Sequence, residues 1–150
     1  MMGYDIETVL KRSDWRVRSA FRGVYSIDNL PKNLPIGQAH ALVCNLSPVA
    51  HPGTHWVAIH ISAFGDVTYF DSFGKPPTIP EINLFINYHA RTLTYNKMPV
   101  QGSMTRTCGL YCVHFIIKRC EGFSLSSILS SFHPFRPNYN DRFVLKKYGV

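Results

Sequence analysis

The stretch QGSMTRTCGLYCVHF, residues 101–115, decides how this chain is read. A polar, glycine-containing loop gives way to an apolar helix, and Cys108 stands at the changeover. A helix N-terminus presents unpaired N–H groups and positive potential, and both lower a thiol's pKa. Thr107 is the expected N-cap, Cys108 falls in the first turn, and Gly109 leaves its surroundings open. Gln101 stands seven positions before the cysteine. Alone, the segment also suits a small apolar residue at a helix start. A nucleophile needs partners from elsewhere.

The first partner is a base held by a third group. Of seven histidines, His40, His51, His60, His89, His114 and His133 read as residues of strand ends, loops or exposed helix faces. His55 differs: it opens the strand HWVAIHI directly after the turn residues Pro52 and Gly53. Asp71 closes the next strand, VTYFD, just before Ser72, Phe73 and Gly74. If residues 63–65 form the hairpin loop, with Gly65 in the left-handed bulge position, Ser62 opposes Asp66. Val57 then faces Asp71, and His55 is its diagonal neighbour on the same sheet face, about 7–8 Å away by Cα. A two-residue loop would put the two on opposite faces. Asp71 by itself also suits a turn-initiating aspartate. Gln101 completes the set, because acyl transfer develops an oxyanion that fixed donors must meet, here a side-chain amide and the nucleophile's own N–H.

The rest of the chain predicts an α+β fold, a mixed or antiparallel sheet flanked by helices. Helices are expected over residues 5–13, 80–89, 108–118, 124–132 and 140–148, and strands over 40–46, 55–62, 67–71 and 92–100. Thr78 and Glu81 have capping-box spacing, with Pro80 suited to a first turn. A turn-rich connector from Gly23 through Pro31 and Pro35 separates the first helix from the first strand. At 150 residues, with 45% hydrophobic and 17% charged residues and no low-complexity segment, the chain reads as one globular domain, residues 1–150. The start MMGYDIETVLKRSDW lacks an apolar h-region, and no run is long enough to span a membrane, which predicts a soluble, intracellular protein. Four cysteines without a secretory leader read as thiols of a reducing compartment. The net charge of +7, with Lys11, Arg12, Arg16, Arg18 and Arg22 close together, predicts either a solvated surface or non-specific contact with nucleic-acid phosphates.

The order His, Asp, Gln, Cys, read as GTHW, YFDSFG and VQGSMTRTCGLYC, resembles the adenovirus-type cysteine protease (adenain) family. That family is in turn similar to the SUMO-deconjugating proteases. The shared features are the His55–Trp56 pair, the acid sixteen positions on, and the glutamine seven before the cysteine. FRGVYSIDNLP, residues 21–31, resembles the adenain pattern too, and the likeness covers most of residues 4–120. The resemblance implies a papain-like, adenain-type fold with the nucleophile at a helix N-terminus. It makes Cys108 the nucleophile, His55 the base, Asp71 its orienting acid, and Gln101 with the Cys108 N–H the oxyanion hole. Trp56, Gly53 and Gly109 become substrate-binding residues.

The family reaction is hydrolysis of a peptide bond near glycine through an acyl-enzyme, with virion precursor proteins as substrates and with no metal or cofactor in the chemistry. A DNA virus or related element is the implied source, and virion and host nucleus the implied locations. Two departures stand out. The acid is Asp71 where mammalian adenovirus enzymes carry Glu, and Ala90 occupies the position of the cysteine that tethers their activator peptide. Any activator, DNA or peptide, is therefore expected to bind non-covalently. Two other functions compete: a deconjugase for ubiquitin-like proteins using the same four residues, and a basic nucleic-acid-binding module without catalysis. A zinc site is disfavoured, since Cys108, Cys112 and His114 lack paired ligand spacing.

Overall fold

The computed structural model describes residues 3–50, 55–103 and 105–149. Two short helices, α1 (Gly3–Lys11) and α2 (Trp15–Ala20), lead into β1 (Phe21–Ser26), β2 (His40–Asn45), β3 (Trp56–Ile61) and β4 (Asp66–Phe70). Then follow α3 (Pro80–His89), β5 (Thr92–Tyr95), α4 (Cys108–Cys120), α5 (Leu125–Ser130) and α6 (Pro137–Tyr148). The strands form one sheet in chain order. Its pairing is mixed: β2–β3 and β3–β4 are antiparallel, whereas the outer pairs β1–β2 and β4–β5 are parallel. The α+β architecture is as the sequence predicts.

The hairpin register is the expected one. Ala58 opposes Phe70 and Ile61 opposes Val67, while the Ser62 N–H donates to the Asp66 carbonyl at 3.0 Å. Gly65 supplies the turn with φ +87°, a region costly for any residue with a Cβ. The ladder ends at Ala58 and Phe70, and Asp71 follows β4 directly.

The sheet buries both faces. Leu42, Cys44, Val57, Ile59 and Tyr69 pack on Ile82, Phe85 and Ile86 of α3. The alternate residues Ala41, Val43, Ala58 and Phe70 pack on α4, where Phe70 stacks on Phe115 at 5.0 Å. Helix α4 is buried at nine consecutive positions, Cys108 to Ile116, because the sheet covers one side of it and α1, α2, α5 and α6 supply core residues around the rest. A helix apolar on all sides belongs inside, and this one carries Cys108 at its tip.

Several local expectations are corrected. The basic run at residues 15–20 forms α2, capped by Asp14, whose carboxylate accepts from the Arg16 N–H at 2.9 Å. The first part of the connector expected from Gly23 belongs to an edge strand, β1; its register shifts between Phe21 and Gly23, where Gly23 has φ +140°. Helix α3 starts where expected, but Ile79 is its N-cap and no side chain caps it, so Thr78 and Glu81 form no capping box. The strand expected over 92–100 ends at Tyr95. Helix α6 begins at Pro137, three residues early, which moves Asn140 and Asp141 from its mouth into its buried face.

His40, His60 and His114 are also buried, not peripheral. Burial holds both His60 and His114 at pKa values of about 4, with Arg119 repelling charge on the first and Lys147 and Lys118 on the second. His114 lies among the rings of Phe132, Phe143 and Tyr148, and its Nδ1 pairs with the Tyr148 hydroxyl at 2.6 Å. In an unfolded chain these rings take up a proton below about 6.5. Their contribution to stability is therefore complete above that pH and is lost as pH falls from about 6.5 towards 4. Thermal melts should show a lower midpoint at pH 4.5 than at 7.5, and His114→Phe should shrink that difference. An equal acid loss in both proteins would show that His114 does not drive it.

Candidate active site

Cys108 opens α4, with Thr107 as N-cap, and is almost fully buried. Its sulfur accepts from the Trp56 N–H at 3.5 Å and from the Gly109 N–H, and it hydrogen-bonds the His55 side chain. His55 lies just ahead of β3, its carbonyl held by the Leu46 N–H at 3.1 Å. The ring's Nε2 meets Asp71 Oδ1 at 2.8 Å. With Nε2 on the carboxylate, Nδ1 is the nitrogen left for the thiol. The histidine, acid and cysteine predicted from sequence are thus brought together, across a separation of 53 residues between His55 and Cys108.

The electrostatics of the pair run in opposite directions. Burial works against charge on both groups. On Cys108 the His55 hydrogen bond, the Trp56 N–H and the imidazole's charge outweigh burial, and the thiol's pKa falls below its ordinary value. On His55 the Asp71 and Cys108 hydrogen bonds outweigh burial and raise the ring to about 9. The arrangement favours a thiolate beside an imidazolium. The other thiols go the opposite way: burial lifts Cys44 to about 12, Cys120 to about 11, and Cys112 well above its usual range.

Asp71 has two roles at once. Its Oδ1 accepts from the Phe73 N–H at 2.8 Å, the turn contact the sequence suggests, and from His55 at the same distance. The turn closes with the Gly74 N–H on the Asp71 carbonyl at 2.8 Å. Gly74 has φ +71°, and a Cβ there would lie 2.6 Å from the Met98 carbonyl carbon, so only glycine fits. Two further residues support the pair and were missed by sequence reasoning. The Phe73 ring stacks on His55 at 4.7 Å, limiting ring rotation. Asn96, fully buried just past β5, accepts from the Asp71 N–H at 3.0 Å and donates to its carbonyl at 2.6 Å. Asn96 thus extends the sheet by one side-chain rung, which fixes the backbone of the acid.

Gln101 is buried beside Ser72. The Ser72 hydroxyl donates to its Oε1 at 2.5 Å, and the Val100 and Gln101 N–H groups both donate to the Ser72 carbonyl. The amide is oriented by its other end, which faces a carbonyl that can only accept. Its Nε2 donates to the Thr105 carbonyl at 3.0 Å and hydroxyl at 3.2 Å. Trp56 offers its backbone N–H to the sulfur, while its partly buried ring packs against the core, 3.2 Å from where a Cβ on Gly3 would lie. Gly109 is buried within α4. Gly53 lies outside the described residues. Among the described residues, no cluster of three or more His, Cys, Asp or Glu is placed to hold a metal. No helix among them is long and apolar enough to cross a membrane.

A central helix with a thiol at its N-terminus, set against a sheet that presents histidine and acid, defines the papain-like fold of cysteine proteases. Proteins related in sequence agree. The chain is 33% identical over 92 residues to a cysteine protease of African swine fever virus, covering 53% of this chain and 33% of that protein. It is 32% identical over 101 residues to an Acanthamoeba polyphaga mimivirus protein named as a thiol protease, covering 61% and 33%. The chain spans about a third of the length of the curated relatives it matches. No family model matches the sequence.

Among solved structures, the African swine fever virus protease superposes with a TM-score of 0.64 at 18% identity, covering 96% of this chain and 65% of that one. The central domain of an uncharacterised Legionella pneumophila protein gives 0.54 at 12% identity, covering 98% and 90%. These likenesses establish the shared fold. The relatives bear out the cysteine-protease resemblance read from the ordered motifs.

Proposed function

We propose that this chain is a cysteine endopeptidase that cleaves precursor proteins near glycine, by way of Cys108, His55, Asp71 and Gln101. The observation that carries this reading is the convergence of His55, paired with Asp71 at 2.8 Å, and the Cys108 thiol, held by the N–H of the neighbouring Trp56; this placement lowers the thiol's pKa and raises the imidazole's. In the reaction the Cys108 thiolate attacks the scissile carbonyl, and the oxyanion accepts from the Cys108 N–H and a Gln101 N–H released from Thr105. His55 gives its proton to the departing amine, which leaves an acyl-enzyme. Water, deprotonated by His55, then attacks the thioester, and the thiolate departs with the acid product formed. The preference for glycine rests on the adenain resemblance. Labelling with a glycine-terminated peptide vinyl sulfone, followed by peptide mapping, tests the reading. Modification of Cys108 is expected, and absence of both labelling and peptide cleavage would overturn it.

A second reading is removal of ubiquitin-like proteins from their conjugates. It is favoured by further relatives from African swine fever virus isolates, 32% identical over 91 residues, which are named SUMO-1 cysteine proteases. Comparing kcat/KM for ubiquitin-like fusions and for short glycine-containing peptides separates the two: a strong preference for the folded fusion selects the second.

The pair's electrostatics predict the pH profile. Activity requires thiolate and imidazolium together, so kcat/KM should be bell-shaped, with an acid limb below the ordinary thiol range and an alkaline limb near pH 9. Asp71→Asn keeps an acceptor for His55 but removes the charge that stabilises imidazolium. The alkaline limb should move to lower pH, with a partial loss at the optimum. An unmoved limb would mean that Asp71 does not tune His55.

A further inference from the structure

The C-terminal helix α6 buries two adjacent polar side chains, Asn140 and Asp141, and both reach back to the loop that carries Gln101 and Cys108. Asn140 Nδ2 donates to the Val100 carbonyl at 3.0 Å and to the His133 carbonyl at 2.8 Å, while its Oδ1 accepts from the His133 N–H at 2.7 Å. Asp141 collects donors from one segment only. The Gly102 N–H lies 3.4 and 3.2 Å from its two oxygens, the Thr107 hydroxyl 3.1 Å from Oδ1, and the Tyr111 hydroxyl 2.7 Å from Oδ1. None of the ion pairs among the described residues includes Asp141.

A carboxylate taken out of water without a cation is costly unless donors surround it. Here three donor groups do so, and the carboxylate sits against the mouth of α4, where the helix macrodipole also favours negative charge. The fold gives up ordinary features for this contact. Thr107 is the N-cap of α4, yet its hydroxyl makes no cap bond to its own helix and donates to Asp141 instead. Gly102 admits the carboxylate because it lacks a side chain: a Cβ there would lie 2.8 Å from Asp141 Oδ2. The held atoms bracket the reacting groups. Val100 and Gly102 flank Gln101, and Thr107 immediately precedes Cys108.

We infer that Asp141 is a positioning residue of this active site, locking the oxyanion amide of Gln101 and the backbone N–H of Cys108 into one geometry from the opposite end of the chain. The inference rests on the protease reading above. It separates Asp141 from the thiolate–imidazolium pair: His55, Trp56 and Gly109 set the sulfur's ionisation, whereas Asp141 sets where the oxyanion donors stand. A displacement of about 1 Å in such a group costs on the order of 100-fold in rate.

The test uses two readouts on the same proteins. Alkylation of Cys108 by iodoacetamide needs the thiolate but develops no oxyanion, whereas peptide hydrolysis needs both. For Asp141→Asn, which cannot accept from the Gly102 N–H with its amide nitrogen, kcat should fall about 100-fold with KM little changed. The rate and pH profile of alkylation should stay within about twofold of the parent. Thr107→Val, which removes one donor at nearly constant volume, should show the same split, and Thr107→Ser should restore turnover. If Asp141→Asn does not fold, the Thr107 pair decides alone. Turnover within twofold of the parent in the folded variants would overturn the inference. So would parallel loss of alkylation and hydrolysis, which marks a general structural role. A parent protein with no hydrolysis of any glycine-containing substrate would instead refute the protease reading and is recognised before any variant is made.

Discussion

Replacing Cys108 with alanine is expected to abolish hydrolysis while leaving the fold standing. The thiol sits at a helix tip and not in the middle of the sheet–helix interface, so its removal opens little space. The structural cost falls on the groups that lose the sulfur as partner, the Trp56 and Gly109 N–H and the His55 ring; each unsatisfied buried donor costs about 1–3 kcal/mol. The chemical cost is far larger. Loss of a nucleophile in a thiol or hydroxyl protease lowers kcat by about 10⁶-fold, and losses within one catalytic unit do not add. His55→Ala should therefore be nearly as damaging, and the double variant scarcely worse than either. Circular dichroism and a thermal melt check the fold, and a progress curve checks turnover. Clear hydrolysis above background by a clean Cys108→Ala preparation would remove Cys108 from the chemistry.

The second large effect belongs to Gln101. Gln101→Ala deletes one oxyanion donor, and such losses cost about 3 kcal/mol, or roughly 10²–10³ in kcat. The Ser72 hydroxyl loses its acceptor as well, so a small stability loss accompanies the kinetic one. KM should hardly move, because the amide meets substrate charge only as the tetrahedral intermediate forms. Single-turnover acylation rates measure this directly. A change confined to KM would make Gln101 a substrate-binding residue instead.

What could be read from sequence was what local chemistry encodes. Gly65 selects the hairpin loop, the loop sets the register, and the register puts His55 and Asp71 on one face. Cys108 announces itself by standing where polar loop becomes apolar helix. Other features depend on tertiary neighbours and left no local trace. Asn96 lies in a stretch with strand propensity, but the strand stops at Tyr95 because the Asn96 side chain takes over pairing with Asp71. Asp141 looks like a helix-start residue until the first turn is seen to begin at Pro137. Strand β1 was hidden by Gly23, whose bulge breaks the alternation that marks a strand. The parallel pairing of β1 and β5 at the sheet edges likewise depends on chain crossings that local patterning does not record.

The contrast among the four thiols has a practical consequence for counting molecules. At neutral pH a thiol with a pKa near 11 is ionised in about one molecule in 10⁴, and only the ionised form reacts with electrophiles. Cys44, Cys112 and Cys120 fall in or beyond that range, while Cys108 alone is shifted towards the anion. One equivalent of a small alkylating agent should therefore be consumed at one position. The protein can serve as its own titrant, with the stoichiometry of label giving the fraction of molecules whose site is correctly assembled, before any substrate is known.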